Sequence, residues 1–424
     1  MPEDFSRRNF LRGSAGAALA AAPAILPAQG QNNKVTVGWI GTGSRGNYVM
    51  NQTYKSVPEL VNVVAVCDTY EGNKNRAKDL VQTTEKQTPK TFVDYRDILK
   101  DPSIDVVFIT TPEHLHYEMA MAALKAGKNI YLEKPLAHTI EEGWDIVRAA
   151  EKSGKVVQVG TQNRSNSLYI QARQMIRDGM IGDVHYVRAF WYRNSAETEP
   201  AWRYAIPPDA NEQNTDWNRF LGSAKKRPFD KGRYYQWRLY WDYSGGISTD
   251  LLVHQTDVTN FVCDKTLPHS CVASGGIYRW VKDDREVPDC LSAVYEYSDR
   301  FHINYSCYFG NDHFGYGEQF CGNEGTIEVL NRQELRFWPE LLRGKASPQV
   351  MARKPIEVLK PGNDNLAVQD HVKNFILGVL GKEKVIAPVS IGQQAAISGH
   401  MATLAFKSKK MVVWDAKANK VQYV

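Results

Sequence analysis

The chain has 424 residues, 43% of them hydrophobic and 23% charged, with a net charge of +5. This is the make-up of a globular protein, with length for a sizeable core and, at roughly 100–200 residues per domain, for two domains and a leader. No lysine- or arginine-rich block occurs, which argues against nucleic acid as a partner.

The first segment, MPEDFSRRNFLRGS, is followed by the alanine-rich run AGAALAAAPAIL from Ala15 to Leu26. A membrane-spanning helix needs about 20 strongly apolar residues, so this run is a signal h-region and no stable membrane span is expected. A small-residue stretch near Pro27 and Ala28 completes a signal peptide over residues 1–33. SRRNFLRG resembles the twin-arginine signal of bacterial proteins exported already folded. The resemblance implies the twin-arginine export machinery as a partner and a periplasmic or otherwise exported location.

From Lys34 to Gly160, short apolar runs alternate with helical segments. KVTVGWI (34–40), VNVVAVCD (61–68), IDVVFITT (104–111), NIYLEK (129–134) and KVVQVG (155–160) read as strands, with a short one starting at TFVDY. Helices are expected from Gly46, from Asn73 to Thr83, through Ala126, and from Thr139 to Ser153. Continuous apolar strands alternating with helices predict a doubly wound parallel sheet covered on both faces.

After Gly160 the rhythm changes. A helix is expected from Ser167 to Arg177. Alternating runs such as VHYVRAFWY, CLSAVYEYS, RFHINYSCYF and GTIEVL then predict a largely antiparallel sheet. An irregular stretch from about Asn194 to Arg238 interrupts it, and a loop that long inside a compact domain is usually functional. Helices are expected again over 368–380 and 391–406. The fold predicted is α/β: a Rossmann domain over 34–160 and an α/β domain with a largely antiparallel, open-faced sheet over 161–424.

Gly41-Thr42-Gly43-Ser44-Arg45-Gly46 fits G-x-G-x-x-G between a strand and a helix. The first glycine makes the turn, the second admits a pyrophosphate, the third lets helix meet strand, and the helix N-terminus faces the phosphates. Asp68 closes the second strand near the spacing of a ribose-binding acid, which favours NAD; the alternative is a turn-starting Asp. Lys74 and Arg76 nearby keep NADP open. The six cysteines include no Cys-x-x-Cys, and His114 and His116 do not share a helix face, so no metal site is expected. The cysteines read as buried thiols, with a disulfide in an oxidising compartment as the alternative that the spacing does not require.

The run IDVVFITTPEHLHYEMAMAALKAGKNIYLEKPLAHTIEEG, with Glu133-Lys134-Pro135 at its centre, resembles the Gfo/Idh/MocA oxidoreductases. The resemblance extends over nearly all of 34–424 and takes in WDYSGGISTDLLVHQTD (241–257). It implies NAD or NADP as cofactor, a carbohydrate or cyclitol substrate, and a homodimer or homotetramer. It also implies Lys134 as a proton-exchanging residue at the cofactor, next to Glu133, and a cis Lys134–Pro135 bond. His254 is implied as the base that takes the hydroxyl proton, with Asp250 orienting it or binding the sugar. Four residues separate the two, which puts them on one side if this segment is helical. Thr111, Pro112 and His116 are implied along the cofactor's ribose and nicotinamide. Gln162, with Arg164 near it, is a further cleft candidate or a solvated loop residue. Asp257 reads as a helix-surface or core-network acid.

Trp191, Trp202, Trp217, Trp237 and Trp241 crowd residues 191–243 together with several tyrosines, and flat aromatic faces suit sugar rings. Most are expected to pack the loop itself. Three functions stand in order of preference. The first is an exported NAD(P)-dependent oxidoreductase acting on a sugar, sugar acid or cyclitol hydroxyl with a tightly bound cofactor. The second is a redox-neutral NAD-dependent glycosidase, lyase or epimerase that works by transient oxidation. The third is a non-catalytic sugar-binding protein.

Overall fold

The computed structural model describes residues 34–340, 355–359 and 363–424. The signal-peptide expectation, at residues 1–33, lies outside the described residues. The first half runs β1 (Val35–Ile40), α1 (Ser44–Ser56), β2 (Val61–Cys67), α2 (Glu71–Glu85), β3 (Lys90–Phe92) and α3 (Tyr95–Leu99). It continues through β4 (Val106–Ile109), α4 (His116–Lys125), β5 (Asn129–Leu132), α5 (Ile140–Ser153), β6 (Val157–Val159) and α6 (Ser167–Arg177). The second half runs β7 (Val184–Asn194), α7 (Trp217–Leu221), α8 (Lys231–Tyr235), α9 (Val253–Val262), β8 (Ser270–Gly276), β9 (Cys290–Tyr297) and β10 (Phe301–Tyr308). There follow β11 (Gly310–Gly322), β12 (Gly325–Leu330), β13 (Glu334–Pro339), β14 (Ile356–Leu359), α10 (Asp364–Val379), α11 (Val389–Ser408), β15 (Val412–Asp415) and β16 (Lys420–Tyr423).

The first six strands form a parallel sheet in the order β3-β2-β1-β4-β5-β6. Its central strands are buried apart from half-buried Thr36, as expected of a sheet covered on both faces. Trp39 of β1 stacks on Phe108 of β4 with centroids 4.1 Å apart, and Phe375 of α10 meets Phe108 edge-on. A helix from the C-terminal part of the chain thus returns to cover the first sheet. The chain order reverses between β1 and β4, and in such sheets ligands bind beyond the strand ends at that reversal.

The second sheet has the order β14-β13-β12-β11-β7-β10-β9-β8-β15-β16. Only β7 and β10 pair in parallel; every other neighbouring pair is antiparallel. The helices on one face are locked to the first sheet by small residues. Gly392 of α11 meets Val159 of β6 closely, and the Gln393 amide donates to the Ile140 carbonyl at 2.9 Å. Local signals set the ends of α5. Thr139 and Glu142 form a capping box, and Gly154 ends the helix at φ 64°. All six cysteines are free thiols.

Candidate active site

The turn after β1 is shaped by contacts that exclude side chains. Gly41 sits at φ 83°, where a Cβ would fall 2.8 Å from the Thr111 nitrogen. A Cβ on Gly46 would collide with the Gly41 carbonyl oxygen. The backbone is therefore bare where α1 begins, and the free N–H groups of that helix end face a cleft of about 820 Å³. Gly41, Gly43, Ser44, Arg45, Asp68, Thr111, Pro112, Glu133 and Lys134 all line it, as does Asp250 from the second half of the chain. The bare turn, the helix end and the size of the cleft fit a dinucleotide.

Asp68 is held rather than free. Its carboxylate accepts from Thr42 N at 2.7 Å, Tyr70 N at 2.9 Å, Asn73 at 3.2 Å and the Tyr234 hydroxyl at 3.3 Å. Burial pushes its pKa up, and these donors pull against that rise. Arg45 reaches from the glycine turn to Glu133, with Nε 2.8 Å from Oε1. Gln162 is buried behind that pair and accepts from Arg45 at 3.4 Å. It does not line the cleft, and neither do Gly46 and His116. These three expected cofactor residues act on the wall from behind. His116 places its ring nitrogens 2.7 Å from the Pro135 carbonyl and 2.9 Å from the Thr111 carbonyl, tying the two loops together.

The Lys134–Pro135 peptide is cis. Lys134 Nζ donates to Asp250 Oδ1 at 2.9 Å and to the Asp250 carbonyl at 2.8 Å. An ammonium has three donors, so one remains for a substrate oxygen. Arg238 Nε donates to the same Oδ1 at 3.2 Å. Burial alone would push the Asp250 carboxyl up. Lys134 and Arg238 outweigh it and hold the group well below the usual range.

The segment that carries Asp250 and His254 is helical, but it is not one regular α-helix. Ser248–Leu252 forms a π-helical turn before α9 begins at Val253. Such turns are frequent at functional sites. His254 is buried against Trp191, with ring centroids 6.2 Å apart, and its Nδ1 has no hydrogen-bond partner among the described residues. It stands beside the Lys134–Asp250 pair rather than in the wall of the large cleft. Burial, and then the charge on Lys134, hold its imidazole well below its ordinary pKa and so neutral.

Residues 194–238 roof the cleft. Asp216 N donates to the Thr69 carbonyl at 2.7 Å, Glu71 N to Asn214 at 3.0 Å, and the Tyr234 hydroxyl lies 2.7 Å from Thr69 Oγ1. Tyr204, Tyr234, Tyr235 and Trp237 line the cleft. Trp191, Trp202 and Trp217 are buried, and Trp241 lies under Lys407 at 3.8 Å. Most of the aromatics therefore pack the loop, as expected. Arg164 is no cleft residue. Its guanidinium meets both Asp257 oxygens in a buried pair, which makes Asp257 a core-network acid.

Sequence reading missed Glu113 and Arg238. Glu113 Oε1 accepts from Gly245 N at 2.7 Å and Thr249 Oγ1 at 3.1 Å, fixing the segment that carries Asp250 to the loop after β4. Its one signal was its place beside Thr110-Thr111-Pro112. Arg238 lay in an irregular stretch with no pattern to mark it.

The description "Oxidoreductase family, NAD-binding Rossmann fold" matches residues 35–161, and "GFO/IDH/MocA C-terminal domain" matches 222–328. The chain belongs to the GFO/IDH/MocA family. The NAD-binding half of the family is the half that carries the bare glycine turn. Among curated relatives, inositol 2-dehydrogenase/D-chiro-inositol 3-dehydrogenase of Lactiplantibacillus plantarum is 39% identical over 147 residues, 34% of this chain and 41% of that one. A glycosyl hydrolase family 109 protein of Stenotrophomonas maltophilia is 31% identical over 189 residues, 43% of this chain and 41% of that one. These matches span less than half the length of either relative. A levoglucosan dehydrogenase solved with NADH and levoglucosan aligns over 90% of this chain and 99% of its own, with TM-score 0.68 and 20% identity, which is a likeness of fold.

One buried acid of the second sheet gives a stability prediction. Glu318 of β11 accepts from the Tyr169 hydroxyl at 2.7 Å, and burial pushes its pKa up to about 7. A carboxyl raised in the fold gives stability that is complete below its unfolded value, near 4.5, and is lost as pH rises through about 7. Glu318→Gln is therefore expected to stabilise the protein at pH 8 by on the order of 1–3 kcal/mol. At pH 5 the gap should nearly close. Urea midpoints at the two pH values check this, and equal gaps would remove the assignment.

Proposed function

We propose that the protein is an exported, NAD-dependent oxidoreductase that moves a hydride between a hydroxyl-bearing carbon of a sugar, sugar acid or cyclitol and a tightly held cofactor. The observation that carries the reading is the Lys134–Asp250 pair, 2.9 Å apart, joining the NAD-binding half to the second half at the cleft. When bound, NAD accepts the hydride. A carbon that loses hydride becomes a protonated carbonyl unless a base takes the hydroxyl proton. Lys134 offers its remaining N–H to the substrate oxygen, and neutral His254 beside it can accept the proton. Asp250 holds Lys134 in place through two bonds. The names of the inositol dehydrogenase and levoglucosan dehydrogenase relatives agree with a polyol substrate.

Tight retention is supported by the roof, which is pinned to the loop after β2 by backbone and hydroxyl contacts. Retention would also suit export in the folded state, since a nicotinamide cofactor bound inside the cell would travel with the protein. Replacing Arg7 and Arg8 by lysines is expected to leave the protein inside the cell, read by fractionation. Unchanged export would reject the leader reading.

A second reading has one observation in its favour, the glycosyl hydrolase family 109 relative. There, transient oxidation would acidify a neighbouring C–H, permit elimination and return the hydride. The two readings separate on exported protein purified without added cofactor. Released nucleotide is identified after denaturation, and nicotinamide absorbance is followed while sugars and glycosides are supplied. Net reduction by a free sugar supports the oxidoreductase. Glycoside cleavage with the cofactor oxidised at steady state supports the second reading. Absence of bound nucleotide rejects retention.

A further inference from the structure

The aromatic side chains that line the cleft are not equivalent. Tyr234 places its hydroxyl on Thr69 and Asp68, and Tyr235 packs against Tyr234 and Tyr70. Both are committed to the loop after β2, at the Asp68 end of the cleft. Trp237 lies against the Arg238 guanidinium, 4.3 Å from its ring. Tyr204 differs from all three. It lines the cleft, yet it is 47% exposed.

That exposure is combined with a rigid mount. The Tyr204 carbonyl accepts from Gln236 Nε2 at 2.8 Å. Arg203 donates to Gln236 Oε1 at 2.6 Å and to Asp283 at 2.9 Å. Just before it the chain turns at Trp202, which is buried at φ 69°. A bulky residue in the left-handed region is strained, and such strain persists where the surroundings enforce it, commonly at binding sites. The result is an open, flat ring on a fixed backbone, which offers contact area at little cost in conformational freedom.

The groups around this ring suit an uncharged partner. The Tyr204 ring lies 5.8 Å from the Arg238 guanidinium, whose Nε is fixed on Asp250. The two terminal nitrogens of Arg238 have no hydrogen-bond partner among the described residues. Asp250 links Arg238 in turn to Lys134. Two cations of the cleft, Lys134 and Arg238, are met there by two carboxylates, Asp250 and Glu113. These four leave no net charge for an ionic ligand to neutralise. An open aromatic face beside fixed donors matches a sugar ring, whose C–H face is apolar and whose hydroxyls lie at its rim. An open-chain polyol presents no such face.

We infer that Tyr204 is the platform on which the substrate's ring stacks, so that an uncharged cyclic compound, a pyranose or cyclitol, is preferred over an open-chain or acidic polyol. The inference rests on the oxidoreductase reading above and narrows its substrate class.

The test uses the full-length protein with its own cofactor. Glucose, methyl β-glucopyranoside and myo-inositol are compared with sorbitol and gluconate as reductants of the bound nicotinamide. The best ring compound is expected to exceed both open-chain compounds in kcat/KM by about 3- to 10-fold, the worth of a stacked aromatic contact. Tyr204→Ala should raise KM for the ring compound by a similar factor, with a smaller change in kcat and a smaller loss for the open-chain compounds. Tyr204→Phe should recover most of the loss, since it keeps the face. Cofactor content and melting temperature of each variant confirm that it is folded. Four results would each overturn the inference: an open-chain compound as good as the rings, an unchanged KM in Tyr204→Ala, equal losses for both kinds of compound, or Tyr204→Phe as impaired as Tyr204→Ala. If no compound reduces the cofactor, titration calorimetry with the same panel decides. Ring binding that Tyr204→Ala weakens and Tyr204→Phe keeps would retain the platform while the oxidoreductase reading falls. Absence of ring-selective binding would overturn the platform itself.

Discussion

Lys134→Met is expected to slow cofactor reduction by about 10²- to 10³-fold, the range for losing a donor positioned on an oxygen where charge develops. Methionine keeps the length and apolar stem of the side chain but has no donor. The substrate oxygen then loses the N–H that Asp250 does not use, and His254 loses the cation beside it. Breaking a buried ion pair commonly costs about 3–5 kcal/mol because the partner charge is left alone. Here the loss of stability should fall short of that, since Arg238 remains 3.2 Å from Asp250 Oδ1. A large kinetic loss with a modest shift in melting temperature is therefore the signature. Asp250→Asn supplies the control. It keeps the ammonium but removes its charged partner, and the double variant should be little slower than Lys134→Met, because the two residues act as a unit. Stopped-flow absorbance of the nicotinamide measures all three. Turnover of Lys134→Met within a few-fold of the wild type would remove Lys134 from the chemistry.

What could be read in the sequence were features that local chemistry makes compulsory. Gly41 and Gly46 are glycines because a Cβ has no room there, so the cofactor turn was visible in the spelling of the chain. The parallel sheet was visible because strands covered on both faces are written as unbroken apolar runs. The helix over Ser167–Arg177 was found at its true bounds. Contacts between distant segments left no such trace. Arg45 and Glu133 are 88 positions apart, and Glu113 and Gly245 are 132 apart. Nothing local in either partner records the other. The strand Gly310–Gly322 was missed because its outer part is exposed and polar, with glycines where a period-two pattern would show. The π-turn at Ser248–Leu252 was missed because its residues are as compatible with an α-helix. Asp68 illustrates a middle case. Its position was legible, but the four donors that occupy it come partly from a roof 166 residues away.

Acidification below about pH 6.5 is expected to lower the stability of the protein. Five of the ten histidines, His114, His116, His254, His371 and His400, are buried. Burial drives the pKa of each below the ordinary value of 6.5, to about 3 for His114 and about 4 for His371 and His400. In the unfolded chain all five take up protons near pH 6.5, while in the fold burial opposes that uptake. Stability from a depressed histidine is complete above its unfolded pKa and is lost as pH falls towards its folded one. At pH 5.5 His114, His371 and His400 together have withdrawn about 4 kcal/mol, and His116 and His254 act in the same direction. Glu318, raised to about 7, works in the opposite sense and returns about 2 kcal/mol over the same interval. The net loss from the groups with assigned values is about 2 kcal/mol, a sizeable part of the stability of many domains. Asp68 and Asp257 are also raised and oppose the loss, but they do so mainly at lower pH, where unfolded aspartates begin to protonate. The measurement is the urea midpoint from pH 8 to 5. Its slope gives the number of protons taken up on unfolding. His371→Gln should reduce that number by one, because glutamine can still accept from Ser165 and donate towards the Val159 carbonyl without titrating. A midpoint unchanged between pH 8 and 5.5 would mean that these imidazoles exchange protons freely in the native protein. The neutral state assigned to His254, on which its part in the reaction depends, would then be lost with the rest.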